Sequence, residues 1–183
     1  MARSRTTFPK LATKRVSLRQ FAGQDLAGLH ACFGDEKAMR YWNFPASESE
    51  AETKRWLKIL AKTTSPYDYL AWAVTDKRND RCIGMVNYHH REARNKRLEI
   101  GYILAPAHQG HGLMSEALEA VIAYCFGPLA AHRVEALIHP QNTASIRLVE
   151  RLGFRCEGGP LRDRWRRGDT FMSVMMYSRL ASD

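Results

Sequence analysis

Two glycines, Gly110 and Gly112, lie between an apolar run, residues 98–104, and a segment in which Leu118, Val121, Ile122 and Cys125 recur at i, i+3, i+4 and i+7. Such a turn can bind an anion. The unpaired N–H groups at the start of the following helix carry partial positive charge, and glycine lets a phosphate approach the backbone without meeting a Cβ. The third glycine of a dinucleotide fingerprint is absent, as is the Gly-Lys-Ser/Thr of a nucleotide-triphosphatase loop, so the turn alone does not name its anion. A second pattern follows the run Arg133–Ile138: Asn142 is a natural helix N-cap, with Ser145 one turn into the helix it would begin. His89-His90 and His108-x-x-His111 are histidine clusters, but the loop pair lacks i, i+4 spacing and a companion carboxylate, so no metal is expected.

The elements that must position these groups can be read from periodicity and turn chemistry. A strand over 13–21 precedes helical segments at 25–33 and 35–40, and Ser47-Glu48-Ser49-Glu50 has capping-box form at the head of a helix over 48–62. Strands at 69–75 and 82–87, joined by the polar turn 76–81, predict an antiparallel hairpin. A polar connection over 90–96 leads to the strand at 98–104, which stops at Pro106. Helix 113–126, strand 133–138, helix 143–152 and strands at 154–161 and 170–178 complete the chain. Strand, helix and strand through the glycine turn imply a right-handed crossover and a parallel pair, while hairpins imply antiparallel neighbours. The expected fold is α+β, with a mostly antiparallel twisted sheet of six or seven strands, one splayed parallel pair and flanking helices.

At 183 residues the chain suits one domain, read here as 1–183 with residues 1–10 as a flexible basic N-terminus. With 45% hydrophobic and 26% charged residues it is not disordered overall, and no apolar run approaches the roughly 20 residues of a membrane span. The net charge of +9 fits a polyphosphate ligand, nucleic acid or an acidic protein surface, or solubility alone. Basic residues concentrate in 3–19 and at Arg162, Arg164, Arg166 and Arg167. The first stretch has transit-peptide composition, but its alternation reads as a strand. Cys32, Cys82, Cys125 and Cys156 form no C-x-x-C pair and read as reduced core residues of a cytoplasmic protein.

Taken in order, the glycine turn and the segment 142–154 resemble the GCN5-related N-acetyltransferase (GNAT) superfamily. Gln109, Gly110, His111, Gly112 and Leu113 match its pyrophosphate motif, while Met114 stands where the pattern has a small residue. The resemblance is finer with the RimJ/RimL-type enzymes that acetylate ribosomal-protein N-termini. It is carried by Val16-x-Leu18-Arg19, Arg40-Tyr41-Trp42, Glu99-Ile100-Gly101-Tyr102, Ser115-Glu116-Ala117, Asn142-x-x-Ser145, Gly153-Phe154 and Glu157-Gly158.

This resemblance implies a fold, a cosubstrate and roles. Acetyl-CoA would lay its pyrophosphate on the amides of Gln109, Gly110, His111, Gly112, Leu113, Met114 and Ser115. Its pantetheine arm would pair with Tyr102, Ile103 and Leu104, and Asn142 would contact it. A backbone N–H near Tyr102 or Ile103 would stabilise the oxyanion, an effect of about 3 kcal/mol. Ser145 would protonate the departing thiolate. Glu99, acting through water, and Glu157, at the position the ribosomal-type enzymes suggest, are the candidate bases, and an N-terminal amine of pKa about 8 also reacts without one. Tyr41, Trp42 and Phe44 are candidates for the acceptor-groove wall, with core packing as the alternative.

The function expected is acetyl transfer from acetyl-CoA to a primary amine, in first place a protein or peptide N-terminus and in second a polyamine, amino acid or antibiotic. A monomer or homodimer is expected, without metal or membrane. The rival from another class, a basic RNA- or ribosome-binding module, has charge in its favour, but no aromatic-interleaved RNA motif appears and Glu48 to Glu52 oppose a uniform basic face, so direct nucleic-acid binding is not expected.

Overall fold

The computed structural model describes residues 7–62 and 69–183. Residues 1–6, most of the expected flexible N-terminus, and 63–68 lie outside the described residues. The strands are β1 (Leu11–Ala12), β2 (Val16–Arg19), β3 (Leu70–Asp76), β4 (Cys82–Glu92), β5 (Arg97–Leu104), β6 (Arg133–Ile138), β7 (Arg155–Arg167) and β8 (Thr170–Leu180). The helices are α1 (Leu26–Phe33), α2 (Glu50–Leu60), α3 (Leu113–Phe126) and α4 (Thr143–Arg151). The strands form one sheet in the order β1-β2-β3-β4-β5-β6-β8-β7, antiparallel at every pair except β5–β6. The α+β fold with its one parallel pair is as expected. The eighth strand is the short β1, which precedes the predicted 13–21 segment and pairs with β2 inside it.

Strand alternation sends apolar residues to both faces of the sheet. Ile100 and Leu104 of β5 join Leu118, Val121 and Ile122 of α3 in one core cluster, while Ile103 joins Leu29 of α1 and Leu57 of α2 in the other. Burying each such side chain contributes about 1.5–3 kcal/mol. The chain entrance is pinned as well: Trp72 Nε1 donates to the Pro9 carbonyl at 2.7 Å, and Phe8 meets the Trp72 ring edge-on.

The N-cap of α2 is Ser49 rather than Ser47, its hydroxyl accepting from the Glu52 amide at 3.3 Å while Glu52 accepts from the Glu48 amide. Ser47 is instead buried, with its amide on the Phe33 carbonyl. The other departures from expectation are extensions. β4 runs on to Glu92 through a bulge, and β7 and β8 continue to Arg167 and Leu180, because cross-strand hydrogen bonds carry polar residues that show no apolar pattern. Cys32, Cys82 and Cys125 are buried as expected, but Cys156 is exposed on β7.

Candidate active site

Pairing between β5 and β6 stops at Glu99↔Glu135. Beyond it the strands separate, and a cleft of about 970 Å³ opens between residues 100–104 of β5 and 136–138 of β6. The cleft reaches both faces of the sheet: α3 and α4 flank one end, and the segment between α1 and α2 walls the other.

At the α3 end, Gln109 Nε2 donates to the Leu104 carbonyl at 2.7 Å, anchoring the glycine turn to β5. Gly110 and Gly112 have φ of 80° and 74°, in the left-handed region that disfavours side chains, and a Cβ on Gly110 would project into open space. Gly112 is the N-cap of α3. This bare turn at a helix start fits a phosphate, the group that the acetyl-CoA pyrophosphate would bring. Gln109, Gly110, Gly112, Leu113, Met114 and Ser115 all line the cleft, whereas His111 is exposed outside its lining. Met114 is 8% exposed and packs into the core, so the residue that departs from the motif points largely inward.

Arg15 braces this turn. Its guanidinium donates to the His111 carbonyl at 2.9 Å and to Glu116 of α3 at 2.8 Å, and Glu116 also accepts from the Arg15 amide and the Thr13 hydroxyl. Burial raises the Glu116 pKa, but these donors outweigh it and hold the carboxyl at about 2.

Further along the cleft, Asn142 caps α4 by accepting from the Ser145 amide at 3.2 Å. Both side chains line the cleft. The Tyr102 hydroxyl is buried without a hydrogen-bond partner among the described residues. Burial pushes its pKa up to about 12, and the Ser145 side chain provides the opposing influence. An orphaned buried hydroxyl beside Ser145 suits a polar ligand atom entering the splay.

The opposite face carries different chemistry. His89 of β4 pairs with Glu99 of β5, with Nε2 3.2 Å from Oε1, and His90 Nδ1 lies 3.3 Å from Oε2. Glu99 is 7% exposed. Its burial raises the pKa, but the two imidazoles reverse the sign and leave it lowered. Asn87 Oδ1 stands 3.1 Å from His89 Nδ1. Around them, Tyr41 stacks on His139 with ring centroids 5.0 Å apart, and Trp42, Phe44 and Trp56 form a contiguous aromatic wall against Phe33. Arg167 donates to the Arg40 carbonyl at 2.5 Å, tying the β7–β8 hairpin to that wall, and Trp165 joins the lining.

Among the sequence-predicted residues, the structure brings Glu99, Tyr102, Ile103, Leu104, Asn142, Ser145, Tyr41, Trp42 and Phe44 to the cleft with the turn. Glu157 is not among the lining residues. It is held by Arg133 at 2.5 and 2.6 Å and by Ser178 at 2.6 Å, and these donors depress its pKa to about 2. A carboxylate paired in this way is a poor proton acceptor. Asn87 and His139 were missed by sequence reasoning, and His89 was noted there only as part of a histidine cluster set aside as a metal site. The available signal was period-two alternation carried past Asn87, which puts Asn87 and His89 on one face.

A family model described as acetyltransferase (GNAT) domain matches residues 15–155. An uncharacterised N-acetyltransferase of Bacillus subtilis, YoaA, is 31% identical over 151 residues, covering 82% of this chain and 85% of its own. The ribosomal-protein-serine acetyltransferase of Escherichia coli is 32% identical over 103 residues, 56% of this chain and 57% of its own. The spermidine N(1)-acetyltransferase of the same organism is 25% identical over 143 residues, 78% and 74%. Among solved structures, a GCN5-related N-acetyltransferase from Brucella melitensis superposes with a TM-score of 0.84 at 25% identity, over 98% of this chain and 81% of that one. The chain therefore belongs to the GNAT family and is an acetyl-CoA-dependent N-acetyltransferase.

Proposed function

We propose that this single-domain enzyme acetylates the N-terminal α-amine of a peptide or protein. The observation that carries this reading is the charge of the cleft. Among its described lining residues Glu99 is the sole carboxylate, and two imidazoles already face it, while Lys37, Arg147 and Arg151 supply positive charge. A polyamine brings several ammonium groups that need anionic partners, and burying them unpaired is unfavourable. A peptide N-terminus brings a single amine on an extended chain, which suits a groove walled by Tyr41, Trp42, Phe44 and Trp56. The ribosomal-protein-serine relative agrees with this reading, and the spermidine relative makes the polyamine its chief competitor.

In the proposed reaction the two faces of the sheet divide the work. The turn from Gln109 to Ser115 holds the acetyl-CoA pyrophosphate, and the β5 edge at Tyr102 to Leu104, with Asn142, orients the pantetheine arm. A β5 backbone N–H polarises the thioester carbonyl. The acceptor enters between α1 and α2, and Glu99 on that face assists its deprotonation. On the other face the Ser145 hydroxyl supplies the thiolate proton.

The test is a thiol-release assay on a panel of N-terminal peptides and small amines. Peptides should be turned over with kcat/KM at least about 100-fold above spermidine, a difference of roughly 2.7 kcal/mol in transition-state stabilisation. Preference for spermidine would reject the peptide reading.

A further inference from the structure

The placement of His90 calls for an explanation. His89 and Glu99 are cross-strand partners, so their side chains share a face, and His90 as the next residue along β4 should point to the opposite one. It does not, because β4 bulges between His89 and Glu92 and His90 takes a φ of 50°. A non-glycine residue in that region is strained, and bulges near active sites commonly re-aim a side chain. Here the bulge brings a second imidazole onto the same buried carboxylate.

The three groups also form a gradient of solvent contact. Side-chain exposure rises from 9% at Glu99 to 28% at His89 and 75% at His90, and the two imidazole centroids are 4.6 Å apart. His89 sits between two acceptors, Asn87 Oδ1 and Glu99 Oε1, so Nε2 can take up a proton while Nδ1–H stays on Asn87. Asn87 has room to hold it because its cross-strand partner is Gly101, where a Cβ would meet Asn87 Oδ1 at 2.9 Å.

We propose that His89 and His90 form a proton exit that drains Glu99 during catalysis, with Asn87 as the positioning residue. The acceptor arrives as an ammonium ion. One of its N–H bonds breaks, the proton passes to the Glu99 carboxylate, and the nitrogen keeps the electron pair with which it attacks the thioester. The Glu99 carboxyl hands that proton to an imidazole, through His89 or directly to His90, and the exposed ring releases it to water. Glu99 returns to its carboxylate form for the next cycle. Among the described residues, the other ionisable groups around this path are Tyr69 at the head of β3, Lys37 and Tyr41 between α1 and α2, His139 after β6, and Glu135 of β6, which Arg97 and Arg133 hold.

The inference rests on amine acetylation in this cleft and not on the peptide preference. The test therefore uses whichever amine the panel turns over best. The variants are His89→Ala and His90→Asn, asparagine being chosen because it tolerates positive φ. At low buffer concentration the two substitutions together should lose about tenfold or more in kcat and each alone a part of that loss, while the affinity for CoA and the thermal midpoint stay at the level of the parent protein. Added imidazole should restore several-fold of the rate in His89→Ala, and the acid limb of its kcat profile should shift. A merely structural histidine gives neither rescue nor shift. The proposal is overturned if both variants keep parental kcat, or if the loss resists every buffer base with CoA affinity intact. It is equally overturned if a chelator abolishes parental turnover, since the same three side chains have the donor set of a metal site.

Discussion

At the scale of single residues, the chemistry proposed for the cleft depends on hydroxyls and a carboxylate held by neighbours rather than on isolated reactive groups. Ser145 has its amide on the Asn142 cap and its side chain beside Tyr102. Ser145→Ala is expected to lower kcat by about 10²-fold, the usual contribution of a general acid, while leaving CoA affinity within about twofold. Single-turnover rates beside CoA titration check it, and an unchanged rate removes Ser145 from the mechanism. These residues were legible in the sequence because each sits in a short-range pattern. Asn142 and Ser145 are spaced as a cap and a first-turn residue, and Glu99 lies in an unbroken apolar strand. His89 and His90 were not legible in this way. They fall where the sequence turns polar, and although alternation past Asn87 could place His89, the bulge that re-aims His90 leaves no local signature.

Elements succeed or fail at their ends. α3 and β6 start and stop where periodicity and turn residues place them, at Leu113–Phe126 and Arg133–Ile138. Around the start of α3, however, the stabilising contacts come from a distant segment, since Arg15 and Thr13 of the β1–β2 connection converge on Glu116. Replacing Glu116 with Gln should loosen the turn and raise the Kd for CoA several-fold. The same variant carries a pH signature. The folded-state pKa of Glu116 is depressed to about 2, so its contribution is fully present above the ordinary carboxylate value and fades as pH falls towards the folded value. The parent should thus exceed Glu116→Gln in thermal midpoint at about pH 7, and the gap should close on approach to about pH 2 to 3. A pH-independent gap would mean that the clasp does not stabilise through charge.

For the molecule as a whole, two apolar cores on opposite faces hold the sheet rigid on either side of the splay. Leu118 is fully buried in the larger core, and Leu118→Ala should cost about 2–5 kcal/mol, lowering the thermal midpoint by roughly 5–15 °C. Calorimetry checks this, and a midpoint shift below about 2 °C would show that the core collapses around the gap. The positive surface charge, which the composition alone left open to nucleic acid, includes Lys37, Arg147 and Arg151 at the cleft. By itself the sequence determined the order of the elements, the parallel crossover, the glycine turn and the resemblance to an acetyltransferase, because hydrophobic periodicity, caps and turn residues act over a few positions. The tertiary structure alone decided that β5 and β6 part after Glu99, that Arg133 holds Glu157 outside the cleft lining, and that two histidines converge on Glu99. Each of those outcomes depends on register and contact between segments remote in the chain, and no local pattern of residues encodes the distance between them.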